Sequence, residues 1–258
     1  MTAYVIICLA ALLGSGLTLF SGFGLGTILV PVFALFFPIE IAIMLTAIVH
    51  FLNNIFKLIL LGKNADKKVV IKFGIPSIIA AFIGAYLLTY VTTLEPLLSY
   101  TLYDKVFYVV PVKLTIAFLL FIFALFDIIP KLAKLQFDAK YLSLGGFLSG
   151  FFGGLSRNQG ALRTAFLIRA NMTKETFIAT GIVIACLVDI SRLTIYFEQI
   201  IRFDDQLNYS IIIFAAGSAF LGAYFGNKLL KKVTIKTIQY VVATMLMLFS
   251  VLLGFGII

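Results

Sequence analysis

Apolar residues run almost without break along this chain, and charged residues gather in the short gaps between runs. Six runs, 40–61, 70–92, 106–129, 175–197, 208–229 and 235–256, approach or exceed the ~20 residues a helix needs to cross a bilayer. Each is predicted to be a transmembrane helix. Two other runs, 4–37 and 141–169, are interrupted by glycine: Ser21-Gly22-Phe23-Gly24-Leu25-Gly26 in the first, and Gly150-Phe151-Phe152-Gly153-Gly154 leading to Gly160 in the second. As one helix, residues 4–37 would reach about 51 Å at 1.5 Å per residue, well beyond a hydrocarbon core of ~30 Å. The pattern predicts two hairpins of half-length helices that turn at the glycines. It leaves open whether each hairpin crosses fully or turns back midway. Backbone freed from helical bonding inside lipid is strongly unfavourable unless protein, water or a ligand satisfies it. Paired breaks of this kind therefore mark a candidate binding site.

Composition agrees with this picture. The chain is 62% hydrophobic and 12% charged, with a mean hydropathy of +1.13, against about 45–50% apolar and about 25% charged in soluble domains. The net charge of +9 does not point to nucleic acid, because its carriers sit in loops. Lys63, Lys67, Lys68 and Lys72 lie in one gap, Lys131, Lys134 and Lys140 in a second, and Lys228, Lys231, Lys232 and Lys236 in a third. The intervening loops carry Glu95, Asp104, Glu198, Asp204 and Asp205. Short basic loops stay cytoplasmic, which places both termini outside and the chain in a cytoplasmic (inner) membrane. Met1 to Tyr4 offers no basic region for a cleavable signal peptide. The outer loop 92–105 is expected to form a short amphipathic helix, with tyrosines supplying the interfacial belt in the absence of tryptophan. Cys8 and Cys186 lie in apolar runs and read as core residues, with no metal set and no cofactor implied.

The two halves correspond. Phe82-Ile83-Gly84-Ala85-Tyr86 matches Phe220-Leu221-Gly222-Ala223-Tyr224, and Glu40, Asn54, Lys57 and Leu58 align with Glu175, Asp189, Arg192 and Leu193 at a constant offset. Each half, 1–129 and 130–258, is read as a glycine-broken helical hairpin plus three transmembrane helices. That is an odd number of crossings, so the halves face opposite ways. The predicted fold is an all-α integral membrane protein of two inverted-topology repeats, an architecture used by secondary transporters.

The stretch Ser21 to Pro31, the segment Ala81 to Tyr86 and the second-half stretch Gly150 to Arg192 resemble the sulfite exporter TauE/SafE family. The resemblance covers most of the chain. It implies a bacterial inner-membrane carrier of small anions such as sulfur oxyanions, sulfonates or related organic acids. Leu155-Ser156-Arg157-Asn158-Gln159-Gly160-Ala161-Leu162-Arg163 departs from the more glycine-rich and apolar continuation common in that family, and makes the second break polar and cationic.

Candidate chemistry follows from the breaks. Arg157, Asn158, Gln159 and Arg163 gather where the second hairpin turns, with a half-helix starting near Gly160. A helix N-terminus presents free N–H groups to an anion, and an arginine fork matches two oxygens at once. Snorkelling to the interface and pairing with Asp189 are the competing readings of these arginines. Gly22, Gly24, Gly26 and Thr27 would contribute backbone N–H groups and a hydroxyl from the first break; a helix-packing surface is the competing reading there. His50, Asn53, Asn54 and Lys57 form one stripe at helical spacing, with Asp189 and Arg192 as its counterpart. Asp189–Arg192 reads as a salt bridge, and His50 or Asp189 as a possible acceptor of a coupling proton.

The sequence thus predicts a secondary transporter of a small anion, working by alternating access as one repeat rocks against the other. A passive anion channel is the alternative. An intramembrane enzyme would need paired carboxylates, a metal set or a nucleophile–base pair, and one histidine and one central acid do not supply them. No nucleotide-binding loop is present to support pumping by ATP.

Overall fold

The computed structural model describes residues 1–21, 25–133, 135–156, 160–202, 207–229 and 235–258. Its helices follow the apolar runs: α1 (Thr2–Ser21), α2 (Leu25–Ala34), α3 (Ile39–Leu61), α4 (Lys67–Thr92), α5 (Pro111–Ile128), a single turn α6 (Pro130–Ala133), α7 (Leu142–Ser156), α8 (Gly160–Leu167), α9 (Lys174–Arg202), α10 (Tyr209–Leu229) and α11 (Ile235–Gly254). Among the described residues, Ile39–Asn64, Lys67–Thr92, Lys174–Phe197 and Tyr209–Gly226 are long and apolar enough to cross a membrane. Thr2–Leu17, Leu25–Ala34, Pro111–Phe126 and Ala243–Gly254 are shorter apolar helices. Local signals set several of the boundaries. Asp66 caps α4 by accepting from the amides of Lys68 at 2.8 Å and Val69 at 3.1 Å, and Pro111 opens α5 at a position where its missing N–H has no cost.

Three sequence expectations need correction. The loop at 92–105 is not a helix. Strands β1 (Leu98–Leu102) and β2 (Lys105–Val109) pair antiparallel, so the helix expected from residue 106 begins only at Pro111. The turn is made by Tyr103 and Asp104, both at positive φ (49° and 60°), which suits a tight hairpin.

Second, the hairpin arms are unequal. α1 has 20 residues and α2 has 10, or about 30 Å and about 15 Å of helix; α7 and α8 have 15 and 8. The arms do fold back. A Cβ on Gly14 would meet Leu25 Cδ1 at 3.0 Å and Ile28 Cδ1 at 3.3 Å, and one on Gly145 would strike the Phe166 ring.

Third, Gly150, Gly153 and Gly154 are not the break, because α7 runs through them to Ser156. Two of them, with Gly146, form a packing face. Cβ atoms on Gly146, Gly150 and Gly154 would collide with the carbonyls of Phe73, Ser77 and Ala81 on α4, and one on Gly84 of α4 with the Phe151 carbonyl. Ser77 Oγ donates to Gly146 O across this seam at 2.9 Å. Small residues at four-residue spacing allow this backbone approach. A second such seam joins α1 to α10. A Cβ on Gly222 would collide with the Leu12 carbonyl, and one on Gly226 with Gly16 Cα at 2.7 Å.

The apolar core divides along the same lines. One cluster draws Ile7 and Ala11 from α1, Leu29 and Phe33 from α2, Leu45 from α3 and Ile211 from α10. Another draws Phe73 from α4, Leu142 from α7, Phe166 from α8 and Ile184 from α9. A third, centred on α5 and α11, gathers Leu120, Phe123 and Leu246 with Val30, Ala47, Leu155 and Tyr196 between the other two.

Candidate functional site

The polar stripe of α3 lies in the interior. His50, Asn53, Asn54 and Lys57 are all buried, as are Asp189 and Arg192 on α9. The two helices meet there. His50 Nδ1 lies 2.8 Å from Asp189 Oδ2, and Asn54 Nδ2 donates to the same oxygen at 2.7 Å. Arg192 Nη2 donates to the other oxygen, Oδ1. A buried carboxylate needs this many donors, since an unpaired charge in a dry interior is very unfavourable. The Asp189–Arg192 pair is therefore both an i,i+3 pair within α9 and, through Asp189, a tie to α3.

At the other end of the stripe, the Asn53 amide fits its surroundings with its oxygen accepting from Lys57 Nζ at 3.2 Å and Ser15 Oγ at 3.1 Å. Its nitrogen then donates to Ala219 O at 3.2 Å. Asn53 so links α3 to α1 and α10. Ser15 carried no signal in the sequence, because a lone serine in an apolar helix is usually bonded to its own backbone.

Arg163 stands on the first turn of α8, three residues after Gly160. It is half-buried, and its Nη1 is buried with no hydrogen-bond partner. It forms no ion pair with Asp189, although Asp189 and Lys57 are both near enough to interact with it electrostatically. Its Nε faces α9 at Gly181, where a Cβ would stand 3.6 Å away. From the first break, Gly26 and Thr27 are buried in the first turn of α2. Ile28 and Leu162, which follow the two half-helix starts, pack against the same central cluster. Arg157, Asn158, Gln159, Gly22 and Gly24 lie outside the described residues.

Tyr196, like Ser15, was missed by sequence reasoning. Tyr196, 2% exposed, donates to Gly154 O at 3.4 Å, one turn beyond Arg192, whose Nη1 donates to Gly153 O at 2.9 Å. Its i+4 spacing from Arg192 was the available signal.

The arrangement can hold a small anion by charge and by N–H groups. Among the described residues, no group of three or more His, Cys, Asp or Glu side chains that could hold a metal ion occurs. The family model for the sulfite exporter TauE/SafE matches residues 7–253. No curated protein and no solved structure matches the chain significantly.

Proposed function

The chain belongs to the sulfite exporter TauE/SafE family of membrane transport proteins, and from that premise we propose that it is a secondary transporter of a small anion. It is a helical, multi-pass membrane protein. The anion is a sulfur oxyanion, sulfonate or small organic acid, carried across the cytoplasmic membrane with the basic loops inside. One observation carries the reading: Arg163 Nη1 is buried without a hydrogen-bond partner on the first turn of a half-helix. A buried unsatisfied donor is unfavourable, and an anion at a helix N-terminus relieves it. Gly160 and, from the other break, Gly26 and Thr27 add N–H groups and a hydroxyl. Lys57 adds a second positive charge. His50 and Asp189 are the groups to carry a coupling proton, since they touch across α3 and α9.

The two hairpins and their spans are read as inverted repeats, with α1–α5 matched to α7–α11 and the single turn α6 between them. Equivalent seams support this: α1 on α10 and α7 on α4 are the same exchange seen from each half. In these seams each hairpin meets a helix of the other half backbone to backbone. The bodies that rock are therefore α1, α2, α3 and α10 against α4, α7, α8 and α9, and not one sequence half against the other.

The test is flux in proteoliposomes loaded with sulfite, thiosulfate, a sulfonate or a small carboxylate. Saturable flux of one anion is expected. Arg163→Gln should raise its half-saturating concentration by roughly ten- to a hundredfold, the worth of one charged hydrogen bond. Unchanged affinity in that variant would remove Arg163 from the site, and conductance without saturation would replace the carrier with a channel.

A further inference from the structure

Asp189 is the only buried carboxylate among the described residues, and both of its oxygens are taken. Arg192 donates to one, and Asn54 and His50 meet the other. The charge of Asp189 is thus matched by that of Arg192. Two further cations enter the same interior. Lys57, one turn beyond Asn54 on α3, is 6% exposed, and its ammonium meets the neutral Asn53 amide oxygen at 3.2 Å. Arg163 brings a guanidinium from α8, with Nη1 buried and without a hydrogen-bond partner. Neither cation makes an ion pair among the described residues, and the two are near enough to act on each other electrostatically. Like charges repel strongly in a low-dielectric interior, and each buried charge without a counterion is unfavourable. A singly charged anion answers one of these two cations. A doubly charged anion answers both.

We propose that Lys57 and Arg163 hold the carried anion between them, and that Lys57 makes the site choose a doubly charged anion over a singly charged one of the same shape. This rests on the reading of Arg163 as the anion ligand. The two side chains divide the task by their chemistry. The planar fork of Arg163 fits two oxygens at once and so reads shape. The Lys57 ammonium is a compact charge on a flexible stem, and so reads charge more than shape. Sulfite, thiosulfate and dicarboxylates fall inside the preferred class. Singly charged sulfonates and monocarboxylates fall outside it.

Calorimetric titration of the purified protein in detergent tests this with two pairs of ions that share a shape and differ by one charge. The pairs are sulfite against methanesulfinate, in mildly alkaline buffer where sulfite carries both charges, and succinate against succinamate. In the parent, the doubly charged member of at least one pair should bind roughly ten- to a hundredfold more tightly than its partner. Lys57→Met removes the charge and keeps an apolar stem of similar length. It should shrink the preference to less than about threefold, through weaker binding of the doubly charged ion. Arg163→Gln should weaken both members of a pair. Equal affinity within each pair in the parent, binding of neither pair, or a preference that survives Lys57→Met would overturn the proposal. Unchanged affinity for both members in Arg163→Gln would instead overturn the reading of Arg163 on which it rests.

Discussion

At the scale of single residues, burial separates ion pairs that look alike in a sequence. Asp189 and Arg192 are shut away from solvent, whereas Asp138 and Arg169, 3.1 Å apart, are more than half exposed. Asp189→Ala should destabilise the protein by about 3–5 kcal/mol, because it leaves the buried Arg192 guanidinium without its carboxylate. Asp138→Ala should cost less than about 1 kcal/mol. Unfolding of the two purified variants in detergent measures both; equal losses would mean that water reaches Asp189. The stripe His50, Asn53, Asn54, Lys57 was legible because i, i+3, i+4, i+7 spacing needs no tertiary knowledge. Ser15 and Tyr196 were not legible: their partners are a side chain on α3 and a carbonyl on α7, and neither spacing is written along one helix.

At the scale of elements, glycine carried two meanings that sequence cannot separate. Both a chain break and a close helix seam favour a residue without a side chain. Gly154 was read as the first when it serves the second. Gly154→Ala should therefore fail through packing, losing about 1–3 kcal/mol as its Cβ meets the Ala81 carbonyl. Gly217→Ala, with nothing within 4 Å of the new atom, should be neutral or gain about 0.5–1 kcal/mol from better helix propensity. Thermal melting in detergent ranks the pair, and a Gly154→Ala protein as stable as the parent would mean the α4–α7 seam is looser than described. The β-hairpin of β1 and β2 escaped the sequence for a related reason. Its turn uses Tyr103 and Asp104 at positive φ in place of the usual glycine, so the strongest short-range signal was missing. The alternation Leu98, Tyr100, Leu102 was present, and Tyr100 stacks on Phe107 at 5.4 Å.

At the scale of the whole molecule, the proposed exchange of hairpins would decide which parts rock. Phe56 on α3 stacks on Phe220 of α10 at 4.7 Å, and Ser143 of α7 bonds to the Lys72 carbonyl of α4 at 3.2 Å. Cysteine pairs at 56/220 and 72/143, with Cys8 and Cys186 changed to alanine, would each link the two sequence halves. If the halves rock, a short thiol cross-linker at either pair should stop flux. Rocking of the exchanged bodies predicts that flux survives both links, relative to the same pairs left reduced. Apolar runs and lysine placement made the membrane class and most helix positions readable. Which helix lies beside which could not be read, because that is fixed by glycine faces whose partners lie far apart in the chain.

The α1–α10 seam also sets an order of assembly. α7 leaves the ribosome when α4 is already in the membrane to receive it. α1 has no such partner until α10 has been made, about 200 residues later, or on the order of tens of seconds at the pace of synthesis. Through that interval its glycine face is open to lipid and to any other helix with small residues. α1, made well before its partner, is thus among the last of these helices to be locked in place, and nascent chains stalled before α10 are the ones most exposed to mispairing and quality control.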